Sequence, residues 1–360
     1  MVFRLADLVT LLERLSNAFG PPGCEDEVRA VLRGELEKLA DETRVDKLGN
    51  LFFVHHGEEK MPRVMLAAHM DEVGFIITFI DGGGFLRFHT LGGITANVMP
   101  GHTILLRGTK GDLRGIIGTK PPHLMREDER NKAVSMDDLF MDIGASSPEE
   151  AQSKGVEIGT SGVFDVKFAE LGGGYLKGKA LDDRAGCTVM AEVFKALKDS
   201  PYNIVAVGTV QEEMGMRGAR TAAWQADPDY ALALEGTFTS DVPGTSPEKV
   251  SSKIRGGPVV TILDQTVMTH PTVLKTLIKM GKEKSIPFQF KQVPMGGTDS
   301  GAIHLTKAGV PSGTVAVPCR YIHGPTSVTH VDDVKNTIKL VTEFVKAISE
   351  KNPQAPSVSS

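Results

Sequence analysis

Four short apolar runs, RVMLAA (63–68), IVAVGTV (204–210), YALAL (230–234) and SGTVAV (312–317), constrain the fold of this chain most tightly. Each is too short for an ordinary helix and lacks the polar alternation of a strand wetted on one face, so each reads as a buried strand. Segments at 184–199, 217–226, 270–284 and 299–308 read as helices lying between them. Strands alternating with helices predict an α/β fold, a mixed sheet flanked by helices. Two amphipathic helices come first, at about 5–18 and 24–40, separated by a Gly-Pro-Pro-Gly turn; Val28, Leu32, Leu36 and Leu39 share one face of the second. LFFVHH and PFQFKQV read as further strands, and a last helix at about 331–350 carries Val334, Ile338, Val341 and Val345 at helical spacing.

The texture changes between 74 and 177, where GFIITFI, FLRFHT, TILLRG, LRGIIG and SGVFDVKF form short β-like runs punctuated by glycines. This predicts a small β domain at 74–177 inserted into a catalytic domain made of 1–73 and 178–350, with 351–360 as a flexible tail. The polar, charge-rich stretch 119–138 reads as a loop. A net charge of -5 argues against a polyanion-binding surface, so nucleic acid is not an expected partner. The apolar stretches fall short of the roughly 18 residues that a membrane span needs. Asp7, Glu13 and Arg14 interrupt the opening leucines, so that segment reads as a surface helix, not a targeting sequence. Cys24, Cys187 and Cys319 are widely spaced with no C-x-x-C pair, which points to unpaired thiols and a reducing, cytoplasmic setting.

Residues able to do chemistry recur where the apolar runs stop. His69 and Asp71 follow VMLAA, Asp182 and Asp183 follow YLKGKAL, Glu212 and Glu213 follow IVAVGTVQ, Glu235 follows YALAL, and His323 follows SGTVAV. A parallel sheet gathers its strand ends on one rim, where such side chains can converge on a crevice. Imidazole and carboxylate without thiolate is the donor chemistry of catalytic zinc, cobalt or manganese. Two metals held close together need a shared ligand, and a carboxylate with two oxygens can bridge; Asp182 is the candidate. Of the adjacent acids, Glu213 suits a ligand and Glu212 a proton carrier. The remaining histidines, His55, His56, His89, His102, His123, His270, His304 and His330, read as packing or surface residues, and Trp224 reads as packing.

AAHMDEVGF, KALDDRAG, VGTVQEEMGMRGA, LALEGT, GGTDSGAIHLTKAGVPS and VPCRYIHGP, in that order, resemble the dinuclear metallo-aminopeptidases of the TET type. That family includes glutamyl and leucyl aminopeptidases and proteins labelled endoglucanase M. The resemblance implies a zinc-peptidase-like α/β domain interrupted by a β-barrel-like domain that mediates assembly, often into tetrahedral dodecamers. It also implies two divalent metal ions, zinc or cobalt with manganese as an alternative: His69 and Glu235 on one, Glu213 and His323 on the other, Asp182 between them. Many relatives carry Asp where Glu235 stands. Glu212 takes the place of the general base, Asp71 orients the His69 imidazole, and the Asp182–Asp183 peptide is expected to be cis. The loop at 119–138 resembles one that reaches a neighbouring subunit's active site. Gly296-Gly297-Thr298-Asp299-Ser300 resembles a pocket loop, but a helix N-terminus with Asp299 as its cap is an equal reading. Arg255 or Lys291, if either points into the pocket, would favour acidic residues.

These features predict a metal-dependent aminopeptidase acting on peptides with a free N-terminus. Two rivals use similar ligands, a carboxypeptidase and a deacylase of N-acyl amino acids. A glycosidase built on Glu212 and Glu235 would need neither histidine nor metal, and a non-catalytic assembly protein would need no intact ligand set.

Overall fold

The computed structural model describes residues 5–127 and 132–350. The expected tail at 351–360 and part of the 119–138 loop lie outside those residues. Helices α1 (Leu5–Asn17) and α2 (Asp26–Leu36) lead into strands β1 (Glu42–Val45), β2 (Leu51–His55) and β3 (Arg63–His69). Next come β4 (Gly74–Ile80), β5 (Leu86–Leu91), β6 (Thr103–Gly108), β7 (Gly111–Gly118), β8 (Phe140–Asp142), the short α3 (Pro148–Ser153) and β9 (Ser161–Phe164). The six strands β4 to β9 close into a barrel filled by Phe75, Ile77, Ile104, Leu106, Ile117 and Met141. The α/β pattern resumes after β10 (Ala169–Gly172) and β11 (Tyr175–Gly178) with α4 (Leu181–Leu197), β12 (Asn203–Thr209), α5 (Arg217–Ala226), β13 (Tyr230–Phe238) and β14 (Val259–Val260). It ends with α6 (Pro271–Glu283), β15 (Gln289–Phe290), α7 (Ser300–Ile303), β16 (Ser312–Cys319), β17 (Ser327–His330) and α8 (Val331–Ser349).

The eight-stranded sheet runs β1-β2-β12-β3-β13-β16-β14-β15. Its four central strands, β12, β3, β13 and β16, are mutually parallel, while β2 and β14 join them antiparallel, so the sheet is mixed as expected. Side-chain alternation sends Val64, Leu66 and Ala68 of β3 into the layer under α1, α4 and α8, and Met65 and Ala67 into the alanine-rich layer under α5. Burial on both faces is why these strands are apolar throughout.

Three local expectations need correction. The 299–308 helix is only the four residues of α7, because Thr306 and Gly309 close a turn there and Lys307 adopts a positive φ. PFQFKQV contributes two strand residues, since β15 pairs only with the equally short β14. Trp224, read as packing, is 61% exposed on α5, with Lys307 Nζ 5.3 Å from its ring.

Candidate active site

β11 is not part of the main sheet. It pairs with β10 and β17 in a separate three-stranded sheet, with Gly178 opposite Ser327. That register sets the start of α4, which carries Asp182, beside the loop after β16, which carries His323. Asp182 therefore reaches the site from a helix start, not from the rim of the parallel sheet. The backbone there is irregular: Asp182 and Asp183 depart from helical φ/ψ, and the peptide bond between them is cis.

His69 ends β3. Its backbone N–H donates to Asp183 Oδ2 at 3.1 Å, and its ring Nδ1 donates to the Asp71 carbonyl at 3.1 Å, which leaves Nε2 as the free acceptor. Nε2 lies 3.3 Å from Asp182 Oδ1 and 3.4 Å from Glu235 Oε2. Glu235 is an interior residue of β13, so its position follows from strand register; the Asp299 N–H donates to its Oε1 at 3.1 Å. On the opposite side, His323 Nδ1 donates to the Gly93 carbonyl at 3.0 Å. Its Nε2 lies 3.6 Å from Asp182 Oδ2 and 3.5 Å from Glu213 Oε1. Each oxygen of Asp182 thus faces a different imidazole. Two donor sets result, His69/Asp182/Glu235 and Asp182/Glu213/His323, with the donor atoms of each set within 4.8 Å of one another. Hard oxygen and imidazole nitrogen donors converging twice on a shared carboxylate fit a pair of divalent cations.

Asp71 sits 3.5 Å from His69 Nδ1 through its carboxylate, but the shorter contact is through its carbonyl. Its carboxylate accepts the backbone N–H of Glu212 at 2.9 Å and of Glu213 at 3.0 Å. One residue therefore ties the end of β3 to the loop after β12.

The five metal-ligand candidates and Glu212 line a cavity of about 520 Å³ whose other walls include Phe238, Thr266, Lys291, Gly297 and Ile322. Glu212 lines it without entering either donor set. Burial, together with Glu235, Asp299 and Glu213, pushes the Glu212 carboxyl well above the usual carboxylate range. Burial and Asp182 raise Glu213 to about 7. Burial pulls His323 down, but Asp182 and Glu213 outweigh it and raise the imidazole to about 10. His69 is likewise held well above its ordinary value against burial, by Asp182, Asp71 and Glu235. Two glutamates and two imidazoles held toward their protonated forms, around an Asp182 carboxyl that, against burial, His323 and His69 hold below the usual carboxylate range, mark a cluster short of positive charge, a deficit that bound cations relieve.

Several supporting residues were not singled out in the sequence. Arg184, fully buried, donates to the carbonyls of Leu15, Met70 and Asp71 and to Glu72, which Lys179 also bonds at 2.5 Å. These partners lie more than a hundred residues apart, so no local pattern could have revealed them; the only signal is an arginine beside two acids in LDDRAG. Asp299 stands at the N-terminus of α7 but makes no capping bond there. Its carboxylate takes the Thr209 hydroxyl at 2.5 Å, and burial raises it to about 6. Gly296, Gly297 and Thr298 line the cavity, as does Lys291, whereas Arg255 does not.

A family model described as M42 glutamyl aminopeptidase matches residues 49–340. The chain belongs to that family. It is 32% identical over 341 residues to the lysyl aminopeptidase of Pyrococcus furiosus, covering 94% of this chain and 96% of that protein. Among solved structures it resembles a TET aminopeptidase from the marine sediment archaeon Thaumarchaeota archaeon SCGC AB-539-E09, with TM-score 0.93, 40% identity, and 97% and 98% of the two chains covered. It also resembles the Pyrococcus horikoshii TET1 peptidase, which can assemble into a tetrahedron or a large octahedral shell, with TM-score 0.83, 30% identity, and 94% and 99% covered. Membership makes this chain an aminopeptidase by family, a peptide hydrolase in a metal-dependent group, which favours that reading over a glycosidase or a bare scaffold. Among the described residues, no helix is long and apolar enough to cross a membrane.

Proposed function

We propose that this chain releases N-terminal amino acids from peptides, using two divalent cations, zinc or cobalt with manganese as an alternative. His69, Asp182 and Glu235 would hold one and Asp182, Glu213 and His323 the other. Cations bound there lower the pKa of a water molecule and polarise the scissile carbonyl. Glu212, facing the same cavity outside both donor sets, takes the proton of the attacking water and returns it to the leaving amine. Asp71 holds the Glu212 and Glu213 backbone in place through two amide hydrogen bonds. The acidic cluster receives the free α-amine of the substrate. Lys291 Nζ, near the cavity wall and bonded to the Met295 carbonyl at 2.6 Å, favours an acidic first side chain. The inserted region 74–177, whose barrel strands span 74–164, serves self-association, in line with the tetrahedral assembly of the Pyrococcus horikoshii relative, and unpaired cysteines suit a cytoplasmic setting.

The observation that carries this reading is Asp182, whose two oxygens face two different imidazoles. The test is hydrolysis of a panel of aminoacyl chromogenic substrates after chelation and after adding back zinc, cobalt or manganese, with Glu212→Gln as the control. Turnover requiring metal, a free α-amine and Glu212 is expected. Turnover of an N-blocked substrate would favour the deacylase, and turnover after complete chelation would sink the two-cation reading.

A further inference from the structure

We propose that the Gly92–Gly93 segment, which leaves the barrel strand β5, is a positioning element of the Glu213/His323 ligand pair, so that the barrel completes the active site of its own chain. The inference rests on the two-cation reading above. The Gly93 carbonyl accepts the His323 Nδ1 proton at 3.0 Å, and this selects the tautomer whose Nε2 lone pair faces Asp182 and Glu213. Gly92 has φ +86, and a Cβ placed on it would stand 2.8 Å from Glu213 Oε2, 2.8 Å from Val73 Cγ1 and 3.2 Å from Glu213 Cβ. At Gly93 a Cβ would stand 3.3 Å from His323 Nδ1. Both contacts fall on the same pair of ligands. The other pair is held from within the α/β domain, His69 by the Asp71 carbonyl and Glu235 by the Asp299 amide. A side chain at Gly92 therefore crowds Glu213 together with Val73, and neither His69 nor Glu235 is among the atoms it meets most closely.

The experiment is zinc binding by the full chain, measured by equilibrium dialysis with elemental analysis and by competition against a chelator. Gly92→Ala is compared with wild type, with His323→Ala as the marker of the Glu213/His323 site. Gly101→Ala is the control for backbone cost, because Gly101 also belongs to the barrel region and has φ +80, with nothing within 4 Å of an added Cβ. The expected result is that Gly92→Ala weakens one of the two binding events, the one lost in His323→Ala, by about tenfold to a hundredfold. Gly101→Ala should retain both. Should Gly92→Ala not fold, Gly93→Ala tests the other member of the pair, with a milder intrusion at His323 Nδ1, and must weaken the same event. Wild-type binding by Gly92→Ala, or an equal loss in Gly101→Ala, overturns the inference alone. A wild-type chain that binds no zinc overturns the two-cation reading beneath it.

Discussion

The two ends of the candidate ligand cluster offer the same donor chemistry but are built differently. His69 and Glu235 have side chains 2% and 4% exposed and are carried by neighbouring parallel strands, β3 and β13, so sheet register places them. His323 has a side chain 37% exposed and sits in the loop between β16 and β17, while Glu213 sits in the loop after β12; this pair is held by contacts from the Asp71 carboxylate and from the barrel. A side chain placed by sheet register depends on its own domain, whereas one placed by a contact between two substructures moves with that contact.

The largest expected effect concerns the residue that belongs to neither end. Glu212→Gln should lower kcat by about 10²- to 10⁴-fold, measured by steady-state kinetics, while zinc content stays at the wild-type level. Loss of zinc in that variant would make Glu212 a ligand and redraw the two sets.

The comparison itself is tested by His69→Ala against His323→Ala in chelated protein, using urea denaturation. Removing His69 leaves Glu235 buried without its imidazole and Asp182 with His323 alone, and a cost of about 3–5 kcal/mol is expected. Removing His323, the rim imidazole, should cost less, about 1–3 kcal/mol, because solvent reaches it although Glu213, whose side chain is 5% exposed, loses its partner. Equal losses would erase the distinction between the two ends.

A smaller effect should follow from the support under the deep end. Arg184→Met removes charged hydrogen bonds to the Met70 and Asp71 carbonyls while Lys179 still pairs with Glu72, so a loss of about 1.5–3 kcal/mol is expected by the same assay. Zinc affinity at the His69/Glu235 end should fall in this variant more than at the rim; the reverse pattern would show that the network supports the whole fold without preference.

The finest test is pH dependence. Burial lowers Lys179 to about 8, below its ordinary 10.5, with Glu72 opposing the shift and Arg184 adding to it. A lysine whose folded pKa is depressed contributes stability that is complete above 10.5 and is lost as pH falls through about 8. Relative to Lys179→Met, the wild-type chain should therefore gain stability between pH 8 and 10.5, by at most about 1.4 kcal/mol per pH unit. A difference between the two proteins that stays flat across that window would place the lysine in a solvated position.

Much of this architecture is legible in the sequence. The apolar runs at 64–68, 204–207 and 231–234 are buried on both faces, and that requirement is written in their composition, so the α/β sheet could be read directly. The glycine-punctuated stretch after residue 74 gave away a β substructure, though not its closure, because six-strand closure depends on β4 meeting β9 across about 85 residues. Glu235 was legible as an acid interrupting an apolar run. The capping role open to Asp299 was also legible, but a hydroxyl from Thr209 drew its carboxylate away.

By itself the sequence determined the residue types at the site and the buried strands that bring His69 and Glu235 together, because strand burial and donor chemistry are local properties of the chain. Folding alone sets Asp182 at a helix start beside a second small sheet, Arg184 against the Met70–Glu72 turn, and the Gly93 carbonyl, just past barrel strand β5, against His323 Nδ1. Those contacts join residues more than a hundred positions apart, and a hydrogen bond or a close approach of that span leaves no periodicity in the chain for a reader to find.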